Sequence, residues 1–217
     1  MKYQSETITE QSPGGDGRYA LALEWIEPLV LPKAVVYDLG QNMENNVFDR
    51  HVRRLFGVDL RGTGDADLRY PFPIASDAAD GVIAMEILEH MKDRTDDPLQ
   101  TFCYSGAKTL LCESFRILKP GGWFLLTTPN LSQYAAVWRL ACGDAPAWVE
   151  HCREYAWNEI SPMLLKVGFQ IEQIESVLPF YEEQCPAEFA NLLDRLCPNV
   201  PRLPVIFALS RKPLVTA

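Results

Sequence analysis

Two aspartates and a glycine in the first third of the chain have the types and spacing to hold a nucleoside-bearing ligand. Asp38, Leu39 and Gly40 end the apolar run V-V-Y-D-L-G (35–40) and open the turn D-L-G-Q-N-M-E-N. A sharp turn from a strand's carboxyl end into a helix presents free backbone N–H groups to a ligand. Gly40 has no Cβ to keep the backbone away. The Asp38 carboxylate suits a cationic group such as an amino acid's ammonium. Asp59 closes a second apolar run, G-V-D-L (57–60), about twenty residues on, where an acid accepts hydrogen bonds from ribose hydroxyls. An ordinary βα turn and a helix-capping aspartate are the competing readings, and the two features together are more specific than either alone. His90 and His151 suit a general base near neutral pH, with Glu154 and Tyr155 as helpers, against capping or packing roles for each. Cys142, His151 and Cys152 lack the spacing and the fourth ligand of a zinc site, so no metal is expected.

These residues need a frame, and hydrophobic periodicity supplies one. Residues 1–17 are polar and contain P-G-G-D-G, a lead-in. Helical spacing covers 18–30, ended by Pro32, and again 46–56 between the runs at 35–40 and 57–60. That β-α-β unit opens a doubly wound sheet. Only R-G-T-G-D-A then separates Leu60 from the extended D-L-R-Y-P-F-P. A parallel crossover needs about a dozen residues, so a third strand and its helix are expected to be reduced or missing. G-V-I-A-M (81–85) is the next strand, followed by a helix over 101–118, a K-P-G-G turn (119–122) and a strand at 123–128. Helices are predicted at 132–143, 154–167 and 187–196. Strands at 169–177 and 205–210 would pair as an antiparallel hairpin at the sheet edge. The expectation is one α/β domain over 18–217.

The chain of 217 residues is 47% hydrophobic and carries a formal net charge of -9. That is enough apolar material for a sizeable core. Uniform acidity opposes phosphate backbones and anionic membrane surfaces, so nucleic acid is not an expected partner, whereas a cationic ligand is. No apolar run approaches the roughly 20 residues of a membrane span. Six cysteines without a C-x-x-C pair, and an N-terminus without a signal-like apolar region, predict reduced, mostly buried thiols in a cytoplasmic protein.

The pieces V-V-Y-D-L-G, G-V-D-L, D-A-D-L-R-Y-P-F-P, A-D-G-V-I-A-M-E-I-L-E-H and E-S-F-R-I-L-K-P-G-G-W-F-L-L-T-T-P-N occur in that order. Together with the downstream H-C-R-E-Y-A-W-N-E-I-S-P-M-L-L-K-V-G-F, they resemble the Rossmann-fold, S-adenosylmethionine-dependent methyltransferases. The similarity is greatest to the small-molecule group related to ubiquinone and menaquinone methylation enzymes. L-E-H with R-I-L-K-P-G-G at this spacing is its specific part. The resemblance implies S-adenosyl-L-methionine as cofactor, with Asp38, Leu39 and Gly40 at its methionine part and Asp59 and Leu60 at the ribose. It further implies Asp67 at the adenine amino group, Leu68 bordering the ring, and Met85 and Glu86 lining the methionine side. Glu89 and His90 would stand near the transferred methyl. Segment 131–152 would be a substrate cover, its Tyr134, Trp138 and Trp148 meeting a ligand or simply packing.

One departure marks the first turn. The family pattern D-x-G-x-G-x-G has Asn42 and Glu44 at its second and third glycines here. Asn tolerates positive φ, but Glu44 adds a side chain where close approach is expected. The implied reaction is in-line transfer of a methyl group to a small-molecule, sugar or lipid acceptor, achieved mainly by alignment of donor and acceptor. A degenerate relative acting as a non-catalytic binding or scaffolding protein is the competing reading. A nicotinamide-dependent oxidoreductase would need the full G-x-G-x-x-G, which is absent.

Overall fold

Near-continuous apolar runs build the middle of the sheet because a parallel strand must be buried on both faces. In the computed structural model, which describes residues 17–39, 47–94, 105–145, 150–177 and 185–214, these runs are β1 (Val35–Asp38), β3 (Ala79–Met85) and β4 (Leu118–Pro129). With β2 (Asp59–Gly62), β5 (Gln170–Val177) and β6 (Val205–Arg211) they form a six-stranded sheet in the order β2-β1-β3-β4-β6-β5. The first four strands are parallel; β6 runs antiparallel to β4 and β5 antiparallel to β6. This is the doubly wound, mostly parallel arrangement with an antiparallel carboxyl-terminal hairpin. No strand or helix intervenes between β2 and β3, as the short crossover required.

Alternate residues feed two cores. Val82, Ala84, Phe124, Leu126, Ile206 and Ala208 pack on one face with α3 (Ser105–Ile117) and α5 (Trp157–Val167). Ile83, Met85, Trp123, Leu125, Phe207 and Leu209 pack on the other with α1 (Gly17–Ile26) and α2 (Val47–Phe56). Helices α4 (Tyr134–Cys142) and α6 (Ala187–Leu196) lie against each other, Trp138 meeting Phe189 edge-on at 5.0 Å. Exposed Gln170, Glu172, Gln173 and Glu175 keep the free edge strand β5 polar, which discourages pairing with another chain.

Several boundaries differ from expectation for local reasons. Helix α1 stops at Ile26, not near Val30, because Glu27 precedes Pro28 and a residue before proline disfavours helical geometry. Gly57 takes φ +60° and its N–H bonds the Arg53 carbonyl, so it caps α2 instead of opening a strand. Strand β2 therefore begins at Asp59. K-P-G-G is not a separate turn but an irregularity inside β4, between the pairings of Leu118 with Ala79 and of Trp123 with Gly81. Among the described cysteines, Cys112, Cys142, Cys152 and Cys197 are exposed and Cys185 is half-buried, so the expectation of mostly buried thiols fails. The lead-in up to residue 16, Gly40, Asn42, Glu44, Cys103 and Trp148 lie outside the described residues.

Candidate active site

Strand order reverses between β1 and β3, and open α/β sheets bind ligands in the crevice beyond the strands' carboxyl ends at such a point. Asp38 ends β1 there, and the Leu39 N–H bonds the Ile83 carbonyl at 2.9 Å, holding the turn onto β3. The Asp38 carboxyl is buried beside Asp49 of α2, and its Oδ1 has no hydrogen-bond partner among the described residues. Burial first, then the second carboxyl, raises its pKa well above the usual carboxylate range. Asp49 is raised too, by burial, against the lowering influence of Asp38 and Arg53.

Across the crevice, Glu86 sits just past β3 with φ +53°, a left-handed conformation uncommon for a glutamate. Its N–H bonds both the carbonyl and the hydroxyl of Thr127, that hydroxyl donates to Glu86 Oε1 at 2.8 Å, and Oε2 pairs with Arg18 at 2.8 Å. Next along β4, Thr128 donates to Glu89 Oε2 at 3.0 Å. Consecutive threonines thus hold two carboxyl groups of one E-I-L-E-H segment.

Glu89 and His90 lie on a single 3₁₀ turn, Leu88–His90. The Glu89 side chain is fully buried and its Oε1 has no hydrogen-bond partner among the described residues. Burial, followed by the nearby Glu86 charge, raises its pKa to about 8. Its backbone carbonyl accepts the N–H groups of Cys152 and Arg153, which docks segment 150–155 onto the turn. That docking carries His151 to His90, ring centroids 4.8 Å apart. His90 Nδ1 lies 3.2 Å from the Glu150 carbonyl oxygen, and His151 Nδ1 lies 2.9 Å from Glu154 Oε1. Both partners accept, so each Nδ1 carries a proton, and Nε2 is the nitrogen that bears the lone pair in the neutral tautomer of each ring. Buried Tyr155 bridges to Asn130 at the end of β4 and anchors the far side of the segment.

The structure thus gathers Asp38, Leu39, Met85 and Glu86 at one edge, and His90, His151 and Glu154 beside it. Other predicted residues sit elsewhere. Asp59 pairs in register with Val35, while Asp38 pairs with Gly62. That places Asp59 at the amino end of β2, three residues, or roughly 10 Å, from the crevice. Its carboxylate is exposed and held by Arg61, which lowers its pKa. Leu60 faces the core with Val36 and Val58. Asp67 pairs with Arg69 at 2.7 Å on an exposed loop, while Leu68 is buried against Tyr37 and Phe72. Tyr134 and Trp138 contact α6 residues, Tyr134 through a 2.8 Å hydrogen bond to Asp194. Asp49, Thr127, Thr128 and Arg18 also belong to this site; the T-T dipeptide at the carboxyl end of a central strand is the one local sequence signal for them.

The fold is of the Rossmann-like methyltransferase type. A family model described as "Methyltransferase domain" matches residues 14–174, and the chain belongs to that family. A protein of Mycolicibacterium smegmatis described as a "Probable S-adenosylmethionine-dependent methyltransferase" is 32% identical over 123 residues, 56% of this chain. The chain spans only 39% of that relative's length. Phosphoethanolamine N-methyltransferase 2 of Haemonchus contortus, solved with S-adenosyl-L-methionine, superposes with a TM-score of 0.60 at 16% identity, covering 93% of this chain and 54% of its own. A SAM-dependent methyltransferase from Archaeoglobus fulgidus gives 0.57 at 13% identity over 88% and 92%. Likeness at such identities is a likeness of fold. Among the described residues, no helix is long and apolar enough to cross a membrane.

Proposed function

We propose that the chain transfers a methyl group from S-adenosyl-L-methionine to a small-molecule acceptor, with a sugar or a lipid within that class. The observation that supports this best is the acidic switch-point corner, where Asp38 has a buried oxygen unpartnered among the described residues and Glu86 is held in a left-handed conformation. Such a corner fits a ligand carrying both a sulfonium and an ammonium. Asp38, the Leu39 backbone, Met85 and Glu86 would hold the methionine part. Asp67 and Leu68 would border the adenine, Asp67 keeping its ion pair with Arg69. Asp59 has no place in this arrangement because it stands at the far end of its strand.

When bound, the cofactor supplies an activated methyl: an acceptor lone pair forms the new bond to that carbon as the carbon–sulfur bond breaks and sulfur keeps the electron pair. The chain's part is to align the acceptor and take its proton if it is a hydroxyl. His90 and His151 present Nε2 lone pairs for that proton. The Glu150 carbonyl orients the first ring and Glu154 the second.

Calorimetric titration of the full chain with S-adenosylmethionine, and separately with NAD, tests the reading. Saturable binding of the first alone is expected. Binding of neither supports the scaffold reading, and binding of NAD alone supports the oxidoreductase.

A further inference from the structure

We infer that Glu89, His90 and His151 form a binding site for a first-row divalent metal ion. One ligand-capable atom from each lies within 4.8 Å of the others, a set reached only because segment 150–155 docks onto the Leu88–His90 turn. Two further observations point to a ligand there. Glu89 Oε1 and Glu154 Oε2 are buried with no hydrogen-bond partner among the described residues, an arrangement native structures rarely leave unexplained. In addition, both imidazoles have Nδ1 committed to an acceptor, the Glu150 carbonyl for His90 and the Glu154 carboxylate for His151. A metal-ligating histidine is fixed in this way, its second nitrogen tied to a carbonyl or carboxylate so that Nε2 faces the ion. Thr128 orients the carboxylate ligand by donating to its other oxygen, Oε2.

Two imidazoles and one carboxylate suit Zn²⁺, Mn²⁺ or Fe²⁺ and leave positions open for water or a substrate oxygen. This departs from the sequence expectation of no metal, which rested on Cys142, His151 and Cys152; both thiols are exposed, and of the three only His151 joins this cluster. On the methyl-transfer reading, on which this role rests, an acceptor hydroxyl would coordinate the ion, and the imidazoles would serve as ligands instead of bases. The metal affinity itself does not depend on that reading.

The full chain, treated with EDTA and dialysed, is titrated with Zn²⁺ by calorimetry, and Co²⁺ substitution is followed by visible absorption. One equivalent of Zn²⁺ is expected per chain. His90→Ala and His151→Ala should abolish it, and Glu154→Ala should weaken it about 10- to 100-fold by releasing the His151 ring. Cys152→Ser should bind as the parent does. His90 is partly exposed, so its variant is expected to fold, and circular dichroism checks each protein before titration. Absence of saturable Zn²⁺ binding by the folded chain would overturn the proposal. So would unchanged affinity in both histidine variants, or binding lost only in Cys152→Ser. If Zn²⁺ binds as expected while S-adenosylmethionine does not, the site stands and only its role in methyl transfer falls.

Discussion

The rings of His90 and His151 meet edge to face beside the carboxyl ends of β3 and β4, with 83° between their planes. One ring comes from the turn after β3 and the other from the segment before α5. The Glu89 backbone carbonyl joins the two by accepting N–H groups from Cys152 and Arg153. On the proposed methyl-transfer reading, the acceptor's chemistry would depend on that junction.

Removing the pair should slow methyl transfer without disturbing the cofactor. His90→Ala and His151→Ala are each expected to lower kcat by about 10²-fold or more, whether the rings take the acceptor's proton or hold an ion that binds it. Binding of S-adenosylmethionine should change little. Formation of S-adenosylhomocysteine in the presence of an acceptor, alongside calorimetry, checks both halves. Full turnover in the double variant would remove these residues from the mechanism.

The buried Glu89 carboxyl should make the metal-free protein lose stability as pH rises. Its pKa is raised from 4.5 to about 8 by burial, by Glu86 and more weakly by Glu154, against the lowering hydrogen bond from Thr128. The folded state therefore keeps a proton that the unfolded chain releases, and unfolding is favoured across the window from roughly pH 4.5 to 8. Below that window the group is protonated in both states and contributes no difference. Raised Asp38 and Asp49 act in the same sense, while lowered Asp59, Asp67 and Glu113 act in the opposite one. Comparison of the parent with Glu89→Gln isolates the one group. In EDTA, the variant should gain relative stability between pH 5 and pH 8, on the order of a few kcal/mol, since each pH unit is worth about 1.4 kcal/mol. Urea denaturation at the two pH values measures this, and a constant difference would contradict it.

The Asp38–Asp49 pair offers a parallel case on the other side of the crevice. Asp49→Asn removes a buried acid and lessens the penalty on ionising Asp38, so it should stabilise the protein at pH 7 by roughly 1 kcal/mol. At pH 3, where both carboxyls are mostly protonated in either state, the gain should vanish. Thermal melts at the two pH values decide it.

Backbone packing beneath the crevice should be equally sensitive. A Cβ added at Gly81 would lie 2.3 Å from the Trp123 ring, which is itself buried. Gly81→Ala should therefore cost about 1–3 kcal/mol, the usual price of overpacking a dense core. Guanidinium denaturation should show a lower midpoint with an unchanged slope.

Much of this frame was legible in the sequence because it follows from local rules. The apolar runs around Val36 and Val82 mark strands covered on both faces. The few residues after Leu60 exclude a full crossover, and the alternation in F-Q-I-E-Q-I-E marks a half-exposed edge strand. The candidate site was legible only where it hugs a strand end, as at Asp38, Leu39, Met85 and Glu86. Asp59 moved to the wrong end of its strand because Gly57 serves as a helix cap, which shifts the start of β2 by two residues. A shift that small is invisible to periodicity yet decides which edge of the sheet the acid faces. The meeting of His90 with His151 and the unpartnered oxygens of Glu89 and Glu154 depend on long-range docking, for which no local pattern exists.

The most direct test of the account is a crystal structure of the chain grown with S-adenosylhomocysteine. Its homocysteine part is expected beyond the carboxyl ends of β1 and β3, beside Leu39 and Glu86, with its sulfur turned toward Glu89, His90 and His151. Density for the ligand anywhere else on the sheet, or a crevice closed by the chain's own side chains at saturating ligand, would contradict it.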